Sequence, residues 1–228
     1  MQVTIDNVNY KFIPSKVKSF DKIIKNNKTM ENDIYEKYEA TAELSGELII
    51  CNDVTKMKRT ERKIVRETYE EYIKSLQKRD PNKDKWIYNI IEGISEQELI
   101  LYRDEYCIVI PTYMWDSVNL DKLHILCLPT DLTLRSIRSL TAKHIPLLEH
   151  MKKVTLETIK NIYGIDECYL KMFFHYEPST YHLHIHFVNI SHSDARSSVE
   201  YSHELNNVIF NLSIYSQYYK VALLNRRN

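Results

Sequence analysis

His175-Tyr-Glu-Pro-Ser-Thr-Tyr-His-Leu-His-Ile-His-Phe187 is the stretch of this chain that decides its fold. Strict alternation in its second half puts Leu183, Ile185 and Phe187 on one face of a β-strand and His182, His184 and His186 on the other. Such a strand is a poor core element, because every imidazole must find a hydrogen-bonding partner. Five of the 9 histidines lie between positions 175 and 192, so the polar face of this strand is the first place to look for chemistry.

Working outward, Cys168–His175 and His182–Ile190 read as two strands joined through Glu177-Pro-Ser-Thr180. Upstream, Thr141–Tyr163 has helical spacing, with Ile145, Leu148, Met151, Val154 and Ile159 toward a core. Before it, Trp86-Ile-Tyr-Asn-Ile-Ile91, Glu98–Tyr102, Tyr106–Ile110 and Leu123–Leu128 read as short strands in meander spacing. Downstream, Ser197–Leu212 reads as a helix, and Tyr218–Leu224 as a segment that closes a sheet. Near the N-terminus, Val3–Phe12 alternates as a strand pair turning near Asp6-Asn7, residues 19–41 read as helical or mixed, and Gly46–Cys51 as a strand. Thr55–Lys78 has helical periodicity, and Arg79-Asp-Pro-Asn-Lys-Asp-Lys85 has the composition of a linker. The expected class is α+β, with a small α/β N-terminal domain over residues 1–80 and an antiparallel sheet with helices over 86–228.

Composition narrows the functions. In 228 residues, 31 basic and 31 acidic side chains cancel, which argues against a long duplex nucleic acid or an anionic membrane as partner. Three dispersed glycines exclude the clustered-glycine phosphate loops of the dinucleotide and P-loop folds. Four scattered cysteines give neither a zinc spacing nor a disulfide framework. With no signal-like N-terminus and no apolar run of membrane length, an intracellular protein with reduced thiols is expected.

Two chemistries compete for the histidine face. His-x-His on a strand chelates zinc in many proteins, but residues i and i+4 of a strand are about 13 Å apart, too far for all three to reach one ion. The alternative is nucleophilic attack on phosphorus by a neutral imidazole, its tautomer fixed by a neighbouring hydrogen bond. A turn over 176–181 returns His175 beside His182, and Ser179 and Thr180 in that turn offer donors to phosphate oxygens. The second chemistry suits these residues better and needs neither metal nor other cofactor.

His-φ-His-φ-His-φ-φ is the signature of the histidine-triad hydrolases and transferases, and the longer string from His175 resembles one branch, the scavenger mRNA-decapping enzymes. Trp86-Ile-Tyr-Asn-Ile90, Ile110-Pro111 with Trp115, Arg138-Ser-Leu-Thr141 with His144-Ile-Pro-Leu-Leu148, Lys63-Ile-Val-Arg-Glu-Thr68 and Asn32-Asp-Ile-Tyr35 extend the resemblance from about residue 30 to 222. It implies a homodimer that cleaves 7-methylguanosine-capped dinucleotides or short capped RNA to 7-methylguanosine monophosphate plus a nucleoside diphosphate or short RNA. The compartment implied is cytoplasmic or nuclear.

By that resemblance His184 is the nucleophile, His182, His186 and His175 orient it and bind phosphates, and Ser179 contacts phosphate. Trp86 stacks on the cationic base, a contact worth roughly 2 kcal/mol when desolvated. Glu96 accepts from the guanine edge, with Glu98 two residues on as the other register, and Asn32 and Lys56 close over base and phosphates from the N-terminal domain. Where the family has Asp-Leu-Lys-Trp after Ile110-Pro111, this chain reads Thr112-Tyr-Met-Trp115, losing a base contact and a phosphate-neutralising charge. Tyr113 offers a second aromatic surface in return. A histidine-triad hydrolase of another dinucleotide and a cap-binding protein without turnover are the alternatives.

Overall fold

The computed structural model describes residues 2–5, 8–17, 24–31, 36–41, 44–51, 64–113, 115–192 and 197–227. The chain divides into two compact units, Met1–Arg62 and Lys63–Asn228. In the first, β1 (Gln2–Ile5), β2 (Val8–Val17) and β5 (Leu44–Cys51) form an antiparallel sheet in the order β1-β2-β5. The strands β3 (Ile24–Glu31) and β4 (Glu36–Thr41) pair antiparallel where helical or mixed structure was expected.

The second unit is α+β. A six-stranded antiparallel sheet runs in the order β12-β10-β11-β9-β8-β7, built from β7 (Tyr102–Arg103), β8 (Cys107–Pro111), β9 (His124–Pro129), β10 (Leu170–His175), β11 (Ile185–Asn189) and β12 (Ser202–Glu204). Alternation sorts its residues cleanly. Cys107, Val109, Ile125, Cys127, Ile185 and Phe187 join the main core with Leu148 and Met151 of the helix Ile145–Tyr163. From the same strands, Ile108, Ile110 and Leu128 join a smaller core on Ile87, Ile90 and Ile91. The sheet is thus covered by the long helix on one face and by the short helix Lys85–Ile91 on the other. On this second face His186 pairs across the ladder with Leu126, and Leu126 with Ile110.

Several elements differ from their sequence reading. The expected strand at Trp86–Ile91 is a helix. Ile87, Ile90 and Ile91 recur at i, i+3 and i+4, and this helical period outweighs the strand preference of the isoleucines. Glu98–Tyr102 is a 3₁₀ turn (Gln97–Leu99) followed by the two-residue β7. Within the expected helix at Thr55–Lys78, Ile64–Glu67 is a strand, β6; helix begins only at Tyr69, where Thr68 and Glu71 form a reciprocal N-terminal cap. Ser202–Glu204 is strand rather than helix, because it pairs with β10, and helix follows over Leu205–Ile214. Tyr218–Val221 is a helical turn, and the pairing strand is β13 (Leu224–Arg227), antiparallel to β6. The segment with linker composition carries a 3₁₀ turn (Pro81–Asp84) capped by Asp80 and buries Asp84. Lys63–Arg79 falls in the second unit, and Tyr72 is part of the main core there.

Candidate active site

A cleft of about 470 Å³ opens on the sheet face that carries His184 and His186. Its floor includes Ile110, Leu126 and Leu128, one wall carries Trp86, Ile87 and Ile90, and Ser179 and Thr180 lie on its border. Glu96, Pro111, Thr112, Tyr113 and His124 complete the lining. Of the residues singled out in the sequence, the fold brings Trp86, Glu96, Pro111, Tyr113, Ser179, Thr180, His184 and His186 to one cavity. Glu98 is absent from that lining, so the structure favours the Glu96 register. Asn32 and Lys56 lie outside the described residues.

The remaining two histidines depart from expectation. His182 borders a small adjoining recess with Arg135, His175 and His184 rather than the main cleft. The reason is that β11 begins only at Ile185; at Leu183 the backbone amide donates to the Leu134 carbonyl at 2.7 Å, outside the sheet ladder. His175, expected beside His182, stands against His186, with ring centroids 4.2 Å apart. The antiparallel register between β10 and β11, which sets Phe173 opposite His186, brings it there.

His184 is 9% exposed, and its Nδ1–H donates to the His182 carbonyl at 2.7 Å. In the neutral ring that bond leaves the Nε2 lone pair for a substrate. Burial lowers its pKa, against smaller opposing effects from the His182 carbonyl and the Asp84 charge, so the ring is held neutral. Burial pushes His182 down as well, to about 4, although its Nε2–H donates to the Pro129 carbonyl at 2.8 Å. His186 Nδ1 meets His124 Nε2 at 2.8 Å, and Phe173 stacks on the His186 ring. Each imidazole is thereby oriented by a backbone carbonyl or by another ring.

The nitrogens of His175, His184 and His186 lie within 4.8 Å of one another. His182, outside β11, is not in this group, and the separation of i and i+4 along a strand therefore does not exclude the trio from sharing an ion. A second group, Asp104, Cys107 and His150, is accounted for by structure. Asp104 accepts from the Tyr106 and Cys107 amides through Oδ1 and from Tyr102 Oη and His150 through Oδ2.

Trp86 is 43% exposed at the first turn of its helix, a platform for a planar ring, and Tyr113 at 92% projects from the loop after β8. Glu96 adopts a left-handed backbone (φ 55°) after Gly93, a conformation uncommon for glutamate. Sequence reading missed His124, Arg79, Asp84 and Arg135. His124 alternates with Leu126 and Leu128 along β9 and was legible on that ground; Arg79 and Asp84 sit in the segment with linker composition, and Arg135 between the strand and the long helix.

A family model described as scavenger mRNA decapping enzyme C-term binding matches residues 85–201. The m7GpppX diphosphatase of Ascaris suum is 32% identical over 211 residues, covering 86% of this chain and 70% of that protein. That of Caenorhabditis elegans is 30% identical over 208 residues, covering 85% and 67%. Among solved structures, the aprataxin ortholog Hnt3 in complex with DNA is 17% identical with a TM-score of 0.42, covering 64% of this chain and 88% of that one, too distant to bear on the site. With just over half of the chain inside the family model, and relatives at this identity along most of its length, the chain belongs to the scavenger mRNA decapping enzyme family.

Proposed function

We propose that this protein is an m7GpppX diphosphatase, hydrolysing 7-methylguanosine-capped dinucleotides or short capped RNA to 7-methylguanosine monophosphate and a nucleoside diphosphate or short RNA. The observation that carries the reading is the neutral His184, its Nδ1 tied to a carbonyl, in the same cleft as the exposed indole of Trp86. The methylated base stacks on Trp86, and Glu96 accepts from its edge. Ser179 and Thr180 donate to phosphate oxygens. His184 Nε2 bonds to the phosphorus beside 7-methylguanosine, and the P–O bond to the leaving group breaks, its electron pair going with that oxygen. Water then displaces the imidazole and releases the monophosphate. His186, His182 and His175 orient the nucleophile and bind the phosphates, and no cofactor takes part.

Under this reading the N-terminal domain supplies Asn32 and Lys56 to the bound cap, and residues 86–228 carry the catalysis. The active form is a homodimer inside the cell. No helix among the described residues is long and apolar enough to cross a membrane.

The test is incubation with m7GpppG in a chelator, with chromatographic identification of products. Wild type is expected to release 7-methylguanosine monophosphate and GDP, and His184→Asn to bind the dinucleotide without cleaving it. Turnover by His184→Asn, or wild-type binding without product, overturns the reading. Preference for the methylated over the unmethylated dinucleotide separates it from hydrolysis of other dinucleotides, because only the methylated base is cationic at neutral pH.

A further inference from the structure

Asp84 lines neither the cleft nor the recess beside it, and it is fully buried. Its Oδ1 accepts from Arg79 Nη2 at 2.9 Å and from the Tyr181 amide at 3.0 Å. Its Oδ2 accepts from Arg79 Nε at 3.3 Å and, more loosely, from Arg135 Nη2 at 3.5 Å. Both arginines reach onward to the turn that precedes the triad. Arg79 Nη2 donates to the Ser179 carbonyl at 2.6 Å, and Arg135 Nε to the Tyr181 carbonyl at 2.6 Å. Arg79 also lies over the Tyr181 ring, 4.5 Å from its centroid. One buried carboxylate thus organises three of the backbone contacts that shape Ser179–Tyr181. It is also the residue on which the helix bearing Trp86 begins.

A buried ion pair is a weak source of stability, because desolvation offsets much of its attraction. Its persistence here is better explained by what it aligns. We propose that Asp84 is a positioning residue for the reaction. It locks the Ser179–Tyr181 turn to the tryptophan helix, holding base and phosphates in one register. This inference rests on the cleft being the site of the capped substrate.

The carboxylate faces Arg79, Arg135 and the Tyr181 amide, and Tyr181 Oη donates onward to Glu177 Oε1 at 2.8 Å.

Two variants of the full chain test the proposal, read by Trp86 fluorescence titration with 7-methylguanosine and with m7GpppG, and by steady-state kinetics on m7GpppG. In Asp84→Asn and in Arg79→Gln the affinity for the nucleoside, which needs only the stacking wall, is expected to stay unchanged. Affinity for m7GpppG falls about fivefold or more, as for a lost hydrogen bond, and KM rises with it, because the turn no longer holds the phosphates in register with the base. Arg79→Lys, which keeps a donor to the Ser179 carbonyl, restores part of the loss. Equal loss for both ligands, or no loss for either, overturns the proposal. Should Asp84→Asn fail to fold, Arg79→Gln and Arg79→Lys decide by the same comparison. Binding needs no turnover, so a wild type that binds capped dinucleotide without cleaving it would sink the decapping reading and leave this measurement standing.

Discussion

His182 and His203 are held neutral by burial, each pushed down to about 4. An unfolded imidazole takes a proton near pH 6.5, so between there and pH 4 the unfolded chain binds more protons than the folded one. Stability therefore falls as pH drops through that window, with His182 alone worth about 2 kcal/mol at pH 5. Urea midpoints measured at neutral pH and at pH 5 should show the loss, and His203→Gln should reduce it; equal midpoints would contradict the burial argument. At the mouth of the cleft, Tyr113→Ala is expected to weaken binding of a methylated cap analogue by about five- to a hundredfold, the range for losing one base-stacking ring. Fluorescence titration on Trp86 reads this directly, and unchanged affinity would rule out a stacking role for Tyr113. Which histidines line the cleft was largely legible at this scale, since alternation alone aligns His184 with His186. The place of His175 was not, because it depends on the register between two strands.

Among the elements, the helix Ile145–Tyr163 was legible because its apolar period is sustained and Gly164 ends it with a left-handed backbone (φ 70°). Gly164→Ala is expected to lower stability by about 1 kcal/mol. No neighbouring atom would meet the added methyl, so the loss is conformational. Thr68→Ala removes the reciprocal cap of the helix Tyr69–Gln77 and is expected to cost about 1 kcal/mol, measured as a shift in denaturation midpoint with unchanged slope. In the sequence the Trp86 helix reads as a strand because seven residues show only two turns of helical spacing, which stands out less than the β preference of three isoleucines. Ile108, Ile110 and Leu128 cover the second face and settle it as a helix by giving those isoleucines a common surface to bury.

Across the second unit, Arg138 is the main internal tie. Fully buried, it donates to Tyr176 Oη, to the carbonyls of Tyr219 and Ala222, and to the Glu67 carbonyl. It thereby joins β6, the loop before the long helix and the C-terminal segment, while the Glu67 carboxylate meets Tyr176 and Arg226. Arg138→Leu leaves several of these acceptors without a donor and is expected to lower stability by about 3–5 kcal/mol. Hydrogen exchange should then accelerate over Leu224–Arg227 before the central strands; uniform acceleration would mean that the tie is not local to that segment. What the amino-acid order determined by itself is whatever repeats within a few residues: the alternation of His184 and His186 with Ile185 and Phe187, the long helix, the absence of glycine-rich phosphate loops. What only the tertiary structure decided is whatever joins distant segments, such as Arg79 on the Ser179 carbonyl 100 residues away, or His175 against His186. The physical reason is that periodicity reports which face of an element is apolar. Strand register and chain closure, set by the packing of the whole core, choose which polar groups meet across it.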